Sequence, residues 1–143
     1  MTDDEIRAYA KSSHAAMYHK APAKKRSGKT PEAKVIAACI KYLETLDFYV
    51  LRTGAGMATM NNRKVQIGRT GGHDLTCCAP NGRFVSIEVK SEHGEPTPAQ
   101  LRQCSFIERR NGIVIIPHSQ TELRAALVNH FGLSTIEQWE QKR

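Results

Sequence analysis

The chain has 143 residues, 40% of them hydrophobic, and a formal net charge of +7 at pH 7. That length supports one domain with a real core and is too short for two. No apolar run approaches a membrane span and the polar opening residues are not those of a signal peptide, so a membrane protein is excluded and a cytoplasmic one is expected.

The positive charge is not spread evenly. Residues 1–30 hold seven basic and three acidic side chains, residues 52–71 hold four basic and no acidic ones, and the remainder sums to −1. The excess therefore sits in an N-terminal arm and one glycine-rich segment, a distribution suited to a phosphate backbone. A merely solvated tail is the plainer reading of the arm. Ile6, Tyr9, Ala10, Ser13, Ala16 and Met17 share a face, and Thr2 with Glu5 resembles a capping box, which predicts a helix over 3–19. A basic linker over 20–29 follows, with Lys24, Lys25 and Arg26 as candidate nucleic-acid contacts.

Thr30-Pro31 is a strong helix start, and Val35, Ile36, Cys39, Leu43 and Leu46 recur at helical spacing, so a helix spans about 31–46. Glu32 falls on the same stripe. Two readings are open for it: a first-turn acid favoured by the helix dipole, or a carboxylate that meets a metal or a lysine because an unpaired charge on a core face is costly. Phe48-Tyr49-Val50-Leu51 then begins a sheet. Residues 54–72 read as a loop, bracketed by Gly54-Ala55-Gly56 and Gly68-Arg69-Thr70-Gly71-Gly72, with Arg63, Lys64 and Arg69 as candidate phosphate contacts. Its glycines do not form a P-loop, since no G-x-x-x-x-G-K-[ST] follows a strand.

The next segment carries the chemistry. Leu75–Ala79 and Arg83–Ile87 are short and rich in strand formers, and Pro80-Asn81-Gly82 is a turn signal between them. A three-residue loop pairs Ala79 with Arg83, Thr76 with Ser86 and Asp74 with Glu88. Asp74, Glu88 and Lys90 then share one face of the sheet. A two-residue loop at Asn81-Gly82 would instead pair Asp74 with Val89 and separate the acids. Facing carboxylates repel unless a divalent cation lies between them. Oxygen ligands without a thiolate or histidine pattern point to Mg²⁺ or Mn²⁺. Ordinary strand-end acids are the plainer alternative. The four cysteines lack zinc-ligand spacing and read as small buried hydrophobes; adjacent Cys77 and Cys78 fall on opposite faces of a strand.

Thr97-Pro98-Ala99-Gln100 starts a second helix, about 98–110, with Gln100 placed either to complete a capping box or to project toward the metal. Asn111-Gly112 ends it, and Ile113–Ile116 is a continuously apolar, buried strand, giving a β-α-β crossover of expected right hand. Residues 120–130 are expected to be helical, and Ser134 with Glu137 to cap a short last helix. Its Trp139 reads as a packing residue, and apolar surface around Ile136 and Trp139 is a candidate subunit contact.

Glu32 on a first helix, Gly72-His73-Asp74-Leu75, Ile87-Glu88-Val89-Lys90-Ser91 and Thr97-Pro98-Ala99-Gln100 together resemble the virus-type replication-repair nuclease (VRR-NUC) domain of the PD-(D/E)xK superfamily. The likeness covers roughly residues 30–118. It implies an α/β fold with a restriction-endonuclease-like core, a mixed central sheet flanked by helices, and Mg²⁺- or Mn²⁺-dependent cleavage of branched or flapped DNA. It also implies a homodimer similar to Holliday-junction resolvases. The expected division is a basic arm over 1–29, a nuclease domain over 30–130 and a helical tail over 131–143. Asp74 and Glu88, with Glu32 and the Val89 carbonyl, are expected to bind the metal, Lys90 to orient water or stabilise the phosphorus, and Gln100 to position water or phosphate. The family usually has proline where this chain has His73, which is either a plain substitution or a phosphate contact. Two other readings share these features: a site-specific restriction-type endonuclease and a non-catalytic DNA-binding module.

Overall fold

In a computed structural model, which describes residues 2–10, 31–54, 56–68 and 71–142, the sheet is laid down around one turn. Gly82 adopts φ +86° and its N–H donates to the Ala79 carbonyl at 2.8 Å, while Ala79 N–H donates to Arg83 at 2.9 Å. This three-residue loop sets β4 (Leu75–Cys78) antiparallel to β5 (Phe84–Ile87) with Thr76 opposite Ser86, the register that places Asp74 and Glu88 on one face. β1 (Tyr49–Arg52) pairs antiparallel with β4 and β6 (Ile113–Ile115) parallel with β5, so the sheet is mixed, in the order β1-β4-β5-β6.

Helices cover both faces. Leu75, Cys77, Val85, Ile87, Ile113 and Ile115 alternate onto one face. There they share a core with Cys39 and Leu43 of α2 (Pro31–Thr45), Leu123 and Leu127 of α4 (Gln120–Phe131), and Ile136 and Trp139 of α5 (Leu133–Gln141). The other face is covered more thinly. There α3 (Pro98–Glu108), the crossover helix, sets Cys104 and Ile107 against Val114 and Ile116, and α1 (Asp3–Ala10) packs on α3. Both capping boxes read from the sequence are present, at Thr2/Glu5 and Thr97/Gln100.

Four expectations need correction. The segment 54–72 is not simply a loop: Gly56–Met60 (β2) and Arg63–Ile67 (β3) form an antiparallel hairpin that pairs with no other strand among the described residues. Its turn, Asn61-Asn62, has both residues at positive φ, 50° and 61°. Asparagine tolerates that conformation, and such a turn matches the twist of the flanking strands. Second, Ser134 does not cap α5. Gly132, at φ +90°, joins α4 to α5 directly, so the helix starts at Leu133, two residues earlier than a Ser134 cap would place it, with no side-chain cap. Third, Cys78 is exposed, because β4 turns only Leu75 and Cys77 inward; Cys39, Cys77 and Cys104 are buried as expected. Fourth, Ile136 and Trp139 offer no exposed patch, at 0% and 6% exposure. Trp139 packs edge-on to Phe131 and Phe48, with ring centres 5.0 and 5.7 Å away. Part of the expected first helix, the 20–29 linker, Thr30, and the candidate contacts Lys24, Lys25, Arg26 and Arg69 lie outside the described residues. No helix among the described residues is long and apolar enough to cross a membrane.

Candidate active site

Asp74 and Glu88 stand one residue beyond their strands, where the ladder continues. The Asp74 carbonyl accepts from Thr53 N–H at 2.9 Å, and Glu88 and Lys90 donate their N–H groups to Ile115 and Pro117, both at 3.0 Å. The backbone on either side of each acid is therefore fixed. The acids also grip one another's strands: Asp74 N–H donates to Glu88 Oε2 at 3.1 Å, and Val89 N–H donates to Asp74 Oδ2 at 2.9 Å. From the opposite layer, the first turn of α2 brings in Glu32, and one carboxylate oxygen from each of Glu32, Asp74 and Glu88 lies within 4.8 Å of the other two.

Two further side chains meet Glu88. Lys90 Nζ lies 3.2 Å from Oε1, and Gln100 Nε2 donates to the same oxygen at 2.6 Å. Gln100 completes the capping box and also contacts an acid: its Oε1 accepts from Thr97 N–H at 2.9 Å while its amide nitrogen reaches Glu88. A carboxamide has both an acceptor and donors, and here the two ends are used separately.

Burial outweighs these favourable contacts. Glu88 is 3% exposed, and desolvation, followed by the charge of Asp74, pushes its carboxyl up to about 7 against the pull of Lys90. Asp74 is also raised, chiefly by burial and in spite of the Val89 N–H bond. Groups this close, rich in hard oxygens and reluctant to ionise together, fit a divalent oxygen-seeking cation, whose charge offsets both the desolvation and the repulsion.

His73 is not a phosphate contact, being 3% exposed. Its Nδ1 lies 2.6 Å from Ser86 Oγ and its Nε2 3.3 Å from the Gln100 carbonyl. A neutral ring protonated at Nε2 satisfies both, accepting from Ser86 and donating to Gln100, and burial lowers its pKa in agreement. The histidine thus ties the strand carrying Asp74 to the helix carrying Gln100. Gly71 makes a second tie. It has φ +77°, and a side-chain carbon there would come within 2.7 Å of the Ala99 carbonyl oxygen, so only glycine lets this segment dock on α3.

Neither tie was legible beforehand. Gly71 stands in a run of glycines, and His73 bonds to residues distant in sequence. Arg63 and Lys64 are exposed on β3, in a two-stranded sheet separate from the one whose strands lead into Asp74 and Glu88.

No family model and no curated protein matches the chain. Among solved structures, one described as a VRR_NUC domain superposes with a TM-score of 0.55 at 26% identity, covering 72% of this chain and 99% of that one. The likeness extends over a mixed sheet flanked by helices, the restriction-endonuclease-like arrangement. That likeness supports a VRR-NUC-type nuclease domain in this chain.

Proposed function

We propose that the chain is a Mg²⁺- or Mn²⁺-dependent DNA endonuclease that hydrolyses phosphodiester bonds in branched or flapped DNA. The observation that supports this best is the convergence of Glu32, Asp74 and Glu88 within 4.8 Å, with Lys90 and Gln100 both on Glu88. Glu32, Asp74, Glu88 and the Val89 carbonyl are the residues to hold the dication. When bound, it supplies a lowered pKa for water and a counter-charge for the phosphate oxygens.

The protein's own part is positional. Gln100 holds Glu88 Oε1 from the helix side while Asp74 N–H holds Oε2, and Lys90 offers its ammonium to the substrate phosphate or the attacking water. The exposed Arg63 and Lys64, with Arg69 and the arm residues Lys24, Lys25 and Arg26, meet flanking phosphates, which binds DNA without reading its sequence. The nuclease domain is assigned to residues 30–130, with the arm over 1–29 and the tail over 131–143, and the active form to a homodimer in a reducing cytoplasm.

A panel of labelled junctions, flaps, linear duplex and supercoiled plasmid, with Mg²⁺, Mn²⁺ or EDTA, tests this. Cutting of branched substrates in either metal and not in EDTA is expected. Asp74→Ala, Glu88→Ala and Lys90→Ala are each expected to slow it by about 100-fold or more, the scale of one lost transition-state contact, while DNA binding persists. A Lys90→Ala protein that cuts as fast as wild type would remove Lys90 from the mechanism. Binding without cutting of any substrate in either metal would leave a non-catalytic DNA-binding module.

A further inference from the structure

Beside the acids lies a second feature that the catalytic reading leaves unused. A cavity of about 640 Å³ opens between the thinly covered face of the sheet and α3. That volume falls within the range of sites that enclose small organic ligands. Its floor is the continuation of the active-site face. Thr76 follows Asp74 by two residues on β4, about 7 Å along the strand on the same side, and the residues immediately before Asp74, Gly72 and His73, form its edge.

The floor has a defined hydrogen-bonding sense. Thr53 Oγ1 lies 3.1 Å from the His73 carbonyl, which can only accept, and 2.7 Å from Thr76 Oγ1. Thr53 therefore donates to His73 and Thr76 donates to Thr53, which leaves the hydroxyl of the lining residue Thr76 with acceptor capacity only. The walls are aromatic. Phe84 is 45% exposed and Phe106 46%. Arg110 lays its guanidinium 3.6 Å from the centre of the Phe106 ring and is itself held by the Phe106 carbonyl at 3.0 Å. The lining includes that one cation and no carboxylate among the described residues. Arg83 adds a second guanidinium beside it, bonded to the carbonyl of the lining residue Asn111 at 3.2 Å.

Planar aromatic and guanidinium surfaces, an acceptor on the floor, Gln103 on the wall and a positive margin are the chemistry that holds a nucleobase taken out of its stack. We propose that this cavity takes an unpaired nucleobase of the DNA strand and so sets the neighbouring phosphate at the carboxylates. The proposal rests on the nuclease reading and names the substrate class within it: DNA with a single-stranded nucleotide next to the bond to be cut. Fully paired duplex has no free base to offer.

The test uses the whole chain in EDTA, and again in Ca²⁺ with the DNA checked for breakage. Binding of a single-stranded oligonucleotide containing 2-aminopurine is compared with binding of an all-abasic strand of equal length. The intact strand is expected to bind about tenfold more tightly, the scale of one base–aromatic stack, with quenching of the 2-aminopurine. Phe106→Ala is expected to remove most of that preference and the quenching while leaving the abasic strand's affinity within about twofold. Thr76→Val, nearly isosteric, is expected to reduce the preference less. Equal binding of intact and abasic strands by wild type, or an equal loss for both on Phe106→Ala, overturns the proposal. Because neither buffer needs cleavage, the two readings fail separately. A base preference in a protein that never cuts defeats the nuclease reading alone, and cutting of branched DNA without a base preference defeats the cavity alone. Absence of DNA binding in both buffers overturns both.

Discussion

Replacing Glu88 by glutamine should stabilise the metal-free protein progressively as pH rises, while destroying its response to metal. The carboxyl of Glu88 stands at about 7 when folded, against an ordinary 4.5. Between those values the folded chain holds a proton that the unfolded chain has released, so this group's contribution to stability is complete below 4.5 and is lost as pH rises through 7. At 1.36 kcal/mol per unit the loss is about 3 kcal/mol. Glutamine is the isostere of the neutral form and presents the same shape to Asp74 N–H, Lys90 and Gln100 without the ionisation. Whatever the amide costs against those three donors is independent of pH. The stability difference between Glu88→Gln and wild type should therefore move by about 3 kcal/mol in the variant's favour between pH 4.5 and 8. For a chain of this size that is a relative shift of Tm of about 10 °C. Urea or thermal unfolding in EDTA across that range measures it. Adding Mg²⁺ at pH 8, to about a hundred times its Kd, should raise wild type by about 3 kcal/mol and the variant much less. A difference that is flat with pH, or that moves toward wild type as pH rises, would refute the argument that burial and Asp74 strain this carboxylate.

His73→Ala leaves the Ser86 hydroxyl and the Gln100 carbonyl without their buried partner and opens a cavity; we expect a loss of about 2–4 kcal/mol in urea unfolding. The wild-type histidine adds a pH signature of opposite sign to that of Glu88. Its folded pKa lies below the ordinary 6.5, so its stabilising contribution is present above 6.5 and falls away as pH drops below it. The His73→Ala protein should lack that acid-side decline. Trp139→Ala should cost about 3–5 kcal/mol by emptying the contact with Phe48 and Phe131. Sedimentation should show the folded variant in the same oligomeric state as wild type, since the side chain is consumed within one chain.

Period and turn chemistry are local properties, and where they governed the outcome the residues alone were sufficient. The α2 stripe, the Thr97 capping box and the strand at Ile113–Ile115 were all legible from short-range pattern, whereas the mixed sheet was expected only from the resemblance to a known family. The register that sets Asp74 across from Glu88 was legible too, because proline and glycine around Asn81 select one loop length and a strand has only two faces. The β2-β3 hairpin was missed through its glycines, although Asn61-Asn62 carried the signal of a tight turn.

The remaining features are relations between residues far apart in the chain, which no periodicity encodes. Only the packed fold decides that Glu32 reaches the two strand acids, that Gln100 caps its helix and holds Glu88 at once, and that His73 joins β4 to α3. It also turns Ile136 and Trp139 inward and leaves a cavity beside Thr76. Burial, and with it the upward push on Glu88, belongs to the same class: a carboxylate's cost depends on what surrounds it in space, and that environment is assembled from every layer of the protein.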